Sequence, residues 1–202
     1  MLYGVSNYTD IISGLSYDSR TRYQYIFFDN PQEGALAFLS NTRESSVSVY
    51  KIVFTLSDGR ITSGVATFVK SFAPDKRNNN GPSTHYCKIN DHKILCFGSD
   101  TYENNVRCTM LSFNNDWTSF TTDYADMTDN SFRYRSVVNY IVTDSNIIVC
   151  CYGNNGDGEL GTLVGNLSYS NTLTTTYTKY ITSSYVSVFQ ADDSYFWLNV
   201  PT

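Results

Sequence analysis

Acidic residues recur at regular intervals along the second half of the chain. Asp91, Asp144 and Asp193 are 53 and 49 residues apart, since 144 − 91 = 53 and 193 − 144 = 49. Apolar residues follow each of them, which places each aspartate at the turn of a hairpin between short strands. If these turns share one rim, with Asp29 as a fourth, their carboxylates could bind a cation or the hydroxyl groups of a sugar. Alternatively, each aspartate only stabilises its own turn by bonding to the backbone.

Tyrosine is the second residue type that points to binding. The chain has 17 Tyr and only 2 Trp, and tyrosine supplies contact area and a polar tip at low entropic cost. The candidates for a binding surface are Tyr102, Tyr124, Tyr152, Tyr169 and Tyr177. Packing between neighbouring sheets is the alternative role for each of them.

A glycine-rich loop at residues 153–159 has the residue types of a calcium loop. Asn154, Asn155, Asp157 and Glu159 supply closely spaced oxygen atoms, and calcium takes roughly six to eight oxygen ligands. The spacing differs from that of the EF-hand, and a wide turn between two strands explains the same residues without a metal. We therefore predict no metal or other cofactor and keep this loop as the alternative.

No set of catalytic residues is visible in the sequence. His85 and His92 are the only histidines, and a hairpin turn at residues 91–92 would separate their side chains. No Ser/His/Asp or Cys/His combination occurs at a motif spacing. We therefore predict that the protein is not an enzyme. A glycan-active hydrolase stays open as an alternative, because its two carboxylates can come from distant loops.

Composition argues against several kinds of partner. The 202 residues include 16% charged residues and carry a net charge of −5, so nucleic acid is not expected as the main partner. The sequence contains no run of about 18 apolar residues, so membrane insertion is not expected. The first ten residues lack the features of a signal peptide, which predicts synthesis in the cytoplasm. The expected partners are other protein subunits and, in the alternative, surface glycans.

Short strands are the elements that would position these residues. Residues 84–124 alternate apolar runs with breaks rich in Asn, Asp and Gly, which predicts a meander of consecutive strands. The four predicted strands are residues 86–89, 94–97, 106–113 and 118–124.

This pattern of four strands repeats along the chain. An offset of 53 residues places residues 90–91 on residues 143–144 and residues 107–111 on residues 160–164. Residues 134–180 therefore form a second copy, and residues 23–72 form an earlier, looser copy. Two incomplete copies remain, since residues 185–200 supply only a first and second strand and residues 1–15 only a third and fourth.

A period near 50 residues with four strands per period resembles the β-propeller family. The resemblance implies an all-β fold, with one small propeller domain over residues 1–202. Its blades would be residues 23–72, 84–124 and 134–180 and a composite blade of residues 185–200 with residues 1–15. Pairing of the two ends would close a four-bladed ring within one chain, and completion between chains is the alternative.

The five cysteines are predicted to be reduced. Their odd number and their spacing fit no zinc pattern, and each falls within a predicted strand. Across a two-residue turn at residues 91–92, Cys87 is expected to face Cys96, because 87 + 96 = 183. Ile89 is expected to face Ile94 on the same side of the sheet.

The composition is also similar to that of structural proteins of tailed-phage virions, with much Asn, Tyr, Ser and Thr and little charge. This resemblance implies a non-enzymatic structural or attachment subunit of a larger, phage-like particle, acting through its surface. The first alternative is a lectin-like, carbohydrate-binding propeller. The second is the glycan-active hydrolase.

Overall fold

The structure is a computed structural model that describes residues 12–15, 21–30, 34–41, 46–74, 85–90, 92–100, 105–128, 133–154, 160–169, 172–182, 187–190 and 196–199. These residues form fifteen strands and no helix, which confirms the predicted all-β class. Accordingly, none of the described residues belongs to a helix that could span a membrane. The strands are β1 (Ile12–Ser13), β2 (Thr21–Phe27), β3 (Ala35–Asn41), β4 (Val47–Ser57), β5 (Arg60–Phe72), β6 (His85–Asn90), β7 (Lys93–Asp100), β8 (Asn105–Phe113), β9 (Phe120–Thr128), β10 (Arg133–Val142), β11 (Asn146–Asn154), β12 (Leu160–Ser168), β13 (Thr174–Thr182), β14 (Ser187–Gln190) and β15 (Phe196–Asn199).

Twelve of the described strands form three antiparallel sheets, in which each strand pairs with the next along the chain. Sheet 1 contains β2 to β5, with the short β1 added in parallel beside β5, sheet 2 contains β6 to β9 and sheet 3 contains β10 to β13. β14 and β15 form a separate terminal hairpin, in agreement with the two strands predicted for residues 185–200. The number and order of strands in these four units therefore match the sequence-based prediction.

Sheet 2 lies between the other two sheets, and both of its faces are buried. Successive side chains along a strand point to opposite faces, so Ile94 and Cys96 face sheet 1 while Leu95 and Phe97 face sheet 3. All four side chains of residues 94–97 are fully buried. A strand that is buried on both sides must be apolar at successive positions, which explains this uninterrupted apolar run.

Aromatic side chains fill the interface between sheets 1 and 2. The rings of Phe38 and Tyr86 stack with their centroids 4.1 Å apart. The ring of Trp117 stacks on Phe28 with a centroid separation of 4.5 Å. Burying one such side chain contributes about 1.5–3 kcal/mol, so these pairs account for much of the attraction between the two sheets.

Besides their shared apolar core, sheets 2 and 3 are joined by a close contact between Met127 and Gly165 and by a hydrogen bond to Asp123. The Met127 side chain of β9 lies against Gly165 of β12, where an added Cβ would be 2.2 Å from Met127 Cε and 2.6 Å from its Sδ. The backbone N–H of Leu173 donates to Asp123 Oδ2 at 2.5 Å. Glycine at position 165 therefore leaves room for the Met127 side chain and allows sheets 2 and 3 to pack closely.

The outer face of sheet 1 carries a smaller core that includes residues from the beginning of the chain. Ile12 is buried there with Ile52, and β1 pairs in parallel with β5 through Ile12 with Gly64 and Ser13 with Val65. Residues 12–13 therefore belong to sheet 1, and their predicted place in a composite blade is wrong. The reason is the burial of Ile12 on this face. Residues 1–11 of the predicted composite blade lie outside the described residues.

The register of the first hairpin of sheet 2 differs from the prediction. Asn90 pairs with Lys93, which closes the predicted two-residue turn, whereas Lys88 pairs with Ile94. Ile89 is therefore an extra residue, a β-bulge, in β6. Each side chain of β6 before the bulge lies on the face opposite to the predicted one, because a shift of one residue reverses the two faces.

The predicted opposition of Cys87 and Cys96 is consequently wrong. Cys87 pairs with Leu95, and Cys96 pairs with Tyr86. The two thiols therefore lie on opposite faces of sheet 2, Cys87 toward sheet 3 and Cys96 toward sheet 1. Among the described residues, Cys87, Cys96 and Cys108 are buried and form no disulfide, which is consistent with the prediction of reduced, buried thiols.

The third strands of sheets 2 and 3 correspond at an offset of 56 residues rather than 53. Ile94 pairs with Leu111 and Ile147 pairs with Leu167, so Leu111 corresponds to Leu167 (167 − 111 = 56). The predicted match of residues 107–111 with residues 160–164 is therefore wrong by three residues. The segment between the paired positions is three residues longer in sheet 3 than in sheet 2.

Replacing Gly165 with Ala should destabilise the protein by about 1–3 kcal/mol, because the new methyl group overlaps the buried Met127 side chain. Met127→Ala alone should cost about 2–5 kcal/mol through the cavity that it leaves. The double variant should be more stable than the sum of the two losses predicts, since the smaller residue 127 makes room for the methyl group. Urea unfolding of the four proteins measures this coupling, and strictly additive losses would contradict direct packing of Met127 on Gly165.

Stability should also decrease in alkaline solution. Burial raises the pKa of the Cys87 thiol from 9.0 to about 12, and burial likewise raises the pKa of Cys96. As the pH rises, the thiols ionise first in the unfolded chain. Their contribution to the free energy of unfolding is therefore complete below about pH 9 and is lost as the pH rises toward the folded-state pKa. Each thiol should lower the free energy of unfolding by up to about 1.4 kcal/mol per pH unit in that range. Chemical denaturation at several pH values should therefore give a shallower decline for Cys87→Ala than for the natural chain, and equal slopes would contradict this assignment.

Candidate ligand-binding cleft

An open cleft of about 790 Å³ lies between the first hairpin turns of sheets 2 and 3. Sheet 2 contributes the end of β6. Sheet 3 contributes the turn between β10 and β11 and the residue that follows β12. The described lining residues are Ile89, Asn90, Val142, Thr143, Asp144, Ser145 and Tyr169. Two predicted site residues, Asp144 and Tyr169, therefore line one cleft.

The two turns beside the cleft are held in the same way. In sheet 2 the backbone N–H of Phe113 donates to the carbonyl of His92 at 2.7 Å, and in sheet 3 the N–H of Tyr169 donates to the carbonyl of Ser145 at 3.1 Å. His92 and Ser145 are 53 residues apart and occupy the same place in their turns. Each turn is therefore tied to the end of the third strand of its own sheet.

Hydrogen bonds within residues 143–146 fix the shape of the turn in sheet 3. The backbone N–H of Thr143 donates to the Asn146 carbonyl at 2.8 Å. The Thr143 hydroxyl donates to that same carbonyl at 3.0 Å and accepts from the Asn146 N–H at 3.1 Å. The Asn146 side-chain amide donates to Ser145 Oγ at 3.1 Å. The protein itself thus satisfies these groups of the turn, and a ligand is not needed to hold its shape.

Tyr169 supports this turn from the protein interior. Its side chain is only 8% exposed, and its hydroxyl donates to the carbonyl of Thr143. Burial raises the pKa of Tyr169, and the negative charge of Asp144 raises it further, so the hydroxyl keeps the proton that this bond requires. Lys93 Nζ lies 5.8 Å from the centroid of the ring. Tyr169 therefore positions the turn, which differs from its predicted role as an exposed binding aromatic.

Three exposed residues present polar groups to the cleft, namely Asn90, Asp144 and Ser145. The side chains of Asn90 and Asp144 hydrogen-bond to no other described residue. Ile89 and Val142 are partly buried and pack against the core between sheets 2 and 3. The exposed described residues of the cleft therefore offer one carboxylate, one amide and one hydroxyl above an apolar floor. No three His, Cys, Asp or Glu side chains are grouped as a metal site within the part of the chain that the structure describes.

Several other predicted site residues have no described position. Asp91, Asp193, Tyr102, Asn155, Asp157 and Glu159 lie outside the described residues. Tyr152 and Asn154 belong to β11, where the structure describes their backbone only. Asn90 and His92, the chain neighbours of Asp91, are described, and Asn90 lines the cleft.

Asp29 and Tyr124 are engaged away from the cleft. Asp29 forms an ion pair with Lys88 of β6 and so joins sheet 1 to sheet 2. Tyr124 is exposed, and the guanidinium carbon of Arg107 lies 5.9 Å from the centroid of its ring. Arg107 also forms two hydrogen bonds of 2.8 Å with the carboxylate of Asp126. These two predicted residues therefore contribute to other parts of the structure.

Sequence reasoning missed Asn90 and Ser145 as residues of the cleft. Asn90 directly precedes Asp91, and Ser145 directly follows Asp144. The repeat aligns complete turns rather than single aspartates, so both residues could have been included with the aspartates. The two turns lie close together because of how sheets 2 and 3 pack, and the sequence pattern did not predict this packing.

Because the comparisons with known proteins found no match, the proposals on function below depend on the sequence and on the geometry of the cleft and of the exposed surfaces. No protein-family model, no curated protein and no solved structure matches this chain.

Tyr169→Phe should loosen the turn at residues 143–146 without changing the fold. The variant loses the hydrogen bond to the Thr143 carbonyl, so we expect a loss of about 0.5–1.5 kcal/mol in the free energy of unfolding. Phe113 holds the corresponding position in sheet 2, so a phenyl ring fits there. Amide hydrogen exchange should become faster at Asn146, whose N–H is bonded within the turn. Tyr124→Phe, on an exposed ring, is the matched control, and unchanged exchange in Tyr169→Phe would show that the hydroxyl does not hold the turn.

Proposed function

We propose that this protein is a non-enzymatic structural or attachment subunit of a larger assembly and that it works through its surface. Its proposed fold is a small β-propeller, with sheets 1 to 3 as three blades and the terminal hairpin as part of a fourth. Three successive meanders of four strands each support this fold, as does the contact between β14 and β10. Ring closure within one chain is favoured because pairing within one molecule has a high effective concentration.

Exposed apolar side chains on both faces of the β4–β5 hairpin, together called the apolar surface on β4 and β5, carry the proposed assembly role. Val53, Val65 and Phe68 are 51%, 56% and 54% exposed. Val53 and Val65 pair across the two strands on one face. Phe68 lies on the other face, with its ring centroid 5.5 Å from that of Tyr50. Full burial of such a side chain contributes about 1.5–3 kcal/mol, and because these side chains are already about half buried, covering the rest against a partner would contribute roughly half of that. Each of them therefore favours association.

The outer edge of β5 offers a second means of association. Along this edge, the described residues that pair with β5 are the two of β1. Edge strands with unpaired backbone groups can add a strand from another chain, and charged residues usually prevent this. Arg60 and Lys70 lie near the ends of β5, and the nine residues 61–69 between them are uncharged. The centre of the edge therefore lacks protection by charge, although β1 covers it at Gly64 and Val65.

The cleft favours binding over hydrolysis. Glycoside hydrolases generally use two carboxyl groups about 5–9.5 Å apart, and Asp144 is the single carboxylate among the described lining residues. Carbohydrate binding is therefore the second candidate function, because the exposed polar groups of the cleft suit sugar hydroxyls.

A phage-like virion is the proposed assembly, with the chain made in the cytoplasm and then incorporated into the particle. The support is compositional, namely a chain with 16% charged residues and many aromatic ones. The net charge of −5 opposes binding to phosphate backbones. The proposed partners are therefore protein subunits and, for the second candidate function, surface glycans.

Phe68→Lys tests the assembly role. The natural chain should associate with itself in a concentration-dependent way, measured by sedimentation velocity. The variant should associate at least about tenfold more weakly, because the buried contribution of Phe68 is lost and an ammonium group would have to be desolvated. Thr174→Lys, an exposed position in β13, adds the same charge to sheet 3 and should associate like the natural chain. A natural chain that stays monomeric at all concentrations, or equal association of the two variants, would refute self-association through β5.

A further inference from the structure

We infer that the cleft between sheets 2 and 3 binds a neutral saccharide in a site that the two sheets build together. This inference rests on the second candidate function, carbohydrate binding, and is independent of the assembly role, because the cleft is formed by residues other than those of the apolar surface on β4 and β5. The site is shared between two neighbouring sheets, since residues of both line the cleft.

The size of the cleft suits a small organic ligand. Its volume of about 790 Å³ falls within the range of roughly 300–1,000 Å³ that is typical of ligand pockets. The cleft is open at the protein surface and lies beside hairpin turns. An oligosaccharide could therefore enter with one end while the rest of the chain stays in solvent.

The polar groups of the cleft match the chemistry of hydroxyl groups. A sugar hydroxyl is both a donor and an acceptor, so its best partners offer both functions. The Asp144 carboxylate accepts only, whereas the Asn90 amide and the Ser145 hydroxyl can donate and accept. The side chains of Asn90 and Asp144 hydrogen-bond to no other described residue, so a ligand would not have to displace a side-chain bond within the described structure. A charge-assisted bond to Asp144 should be the strongest single contact.

The floor of the cleft suits the less polar side of a sugar ring. Ile89 and Val142 line the cleft and also pack against the core between sheets 2 and 3. Carbon-bound hydrogens of a pyranose ring can rest on such a surface while its hydroxyls point to the turns. Both residues are anchored in a core, so this floor is in place before a ligand binds.

The charge of the cleft selects against other ligands. Asp144 would repel phosphate, sulfate or sialic acid. The described lining contains no Lys or Arg, and the ammonium of Lys93 lies near the ring of Tyr169 without being part of that lining. A calcium ion takes roughly six to eight oxygen ligands, whereas the described lining offers one carboxylate. A neutral, hydroxyl-rich ligand therefore fits the cleft better than an anion or a metal ion.

The turn that presents Asp144 is held in place without a ligand. Thr143 and Asn146 bond to each other across the turn, and the Tyr169 hydroxyl bonds to the Thr143 carbonyl. A ligand would therefore lose little affinity to ordering of this turn. Tyr169 acts here as a positioning residue, because its buried ring and bonded hydroxyl leave little for a ligand to contact.

A glycan array that carries neutral and sialylated oligosaccharides tests the inference. The natural chain should bind one or more neutral glycans and no sialylated ones. Titration of the best neutral glycan by calorimetry should then show at least about tenfold weaker binding for Asp144→Asn, which keeps the shape of the side chain but removes its charge. Asn90→Ala should also weaken binding and tests the contribution of sheet 2 separately.

Asp58→Asn is the matched control, since Asp58 is an exposed turn aspartate between β4 and β5 and its loss should leave affinity unchanged. Phe68→Lys should also bind the glycan normally, which separates this site from the assembly role. Absence of binding to any neutral glycan, binding confined to sialylated glycans, or unchanged affinity of both Asp144→Asn and Asn90→Ala would overturn the inference. Thermal unfolding of each variant confirms that the compared proteins are folded.

Discussion

Burial of both faces of sheet 2 is the constraint on which the rest of the structure depends. Its second strand has four successive side chains, residues 94–97, with no exposure, and exposing apolar surface costs about 25 cal/mol per Å². A covering layer is therefore required on each side. Sheet 1 supplies one through Phe38 and Phe28, and sheet 3 supplies the other through Ile147 and Leu167. The order of the sheets in space thus follows from side-chain alternation in one short meander.

The cleft is a consequence of the same packing. Met127 against Gly165 brings sheets 2 and 3 together, and the turns that end their first strands then lie side by side. Ile89 and Val142 belong both to the core between the sheets and to the floor of the cleft. Ile89 and Val142 would therefore touch a ligand and also take part in the packing between the sheets, whereas Met127 and Gly165 bring the sheets together without being among the described lining residues. Changes deep in the sheet interface could alter the cleft without touching its lining.

The sequence predicted the parts of the fold that depend on local patterns. Alternating apolar residues separated by turn residues gave the strands of all three sheets, and the repeated turns pointed to Asp144. The register was not predictable in the same way, because the bulge at Ile89 leaves the amino-acid pattern almost unchanged while it moves Cys87 to the other face. The role of Tyr169 was also hidden, since burial and a bond to Thr143 depend on tertiary packing. Sequence periodicity therefore predicts the strands and turns that carry the residues of the cleft. It does not predict the packing of sheet 2 on sheet 3 that forms the cleft.

The positions of the two proposed surfaces allow them to act at the same time. The apolar surface belongs to sheet 1, and the cleft belongs to the seam between sheets 2 and 3. Because packed sheets lie about 10 Å apart, a partner on β5 and a ligand in the cleft need not compete for space. A ligand that contacts both turns would oppose separation of sheets 2 and 3 and would stabilise the folded state in proportion to its binding free energy. Association through β5 would instead stabilise sheet 1. Since the two interactions share no residues, their effects on stability should add, and this independence suits a subunit that is fixed in an assembly on one side and attaches to a glycan on another.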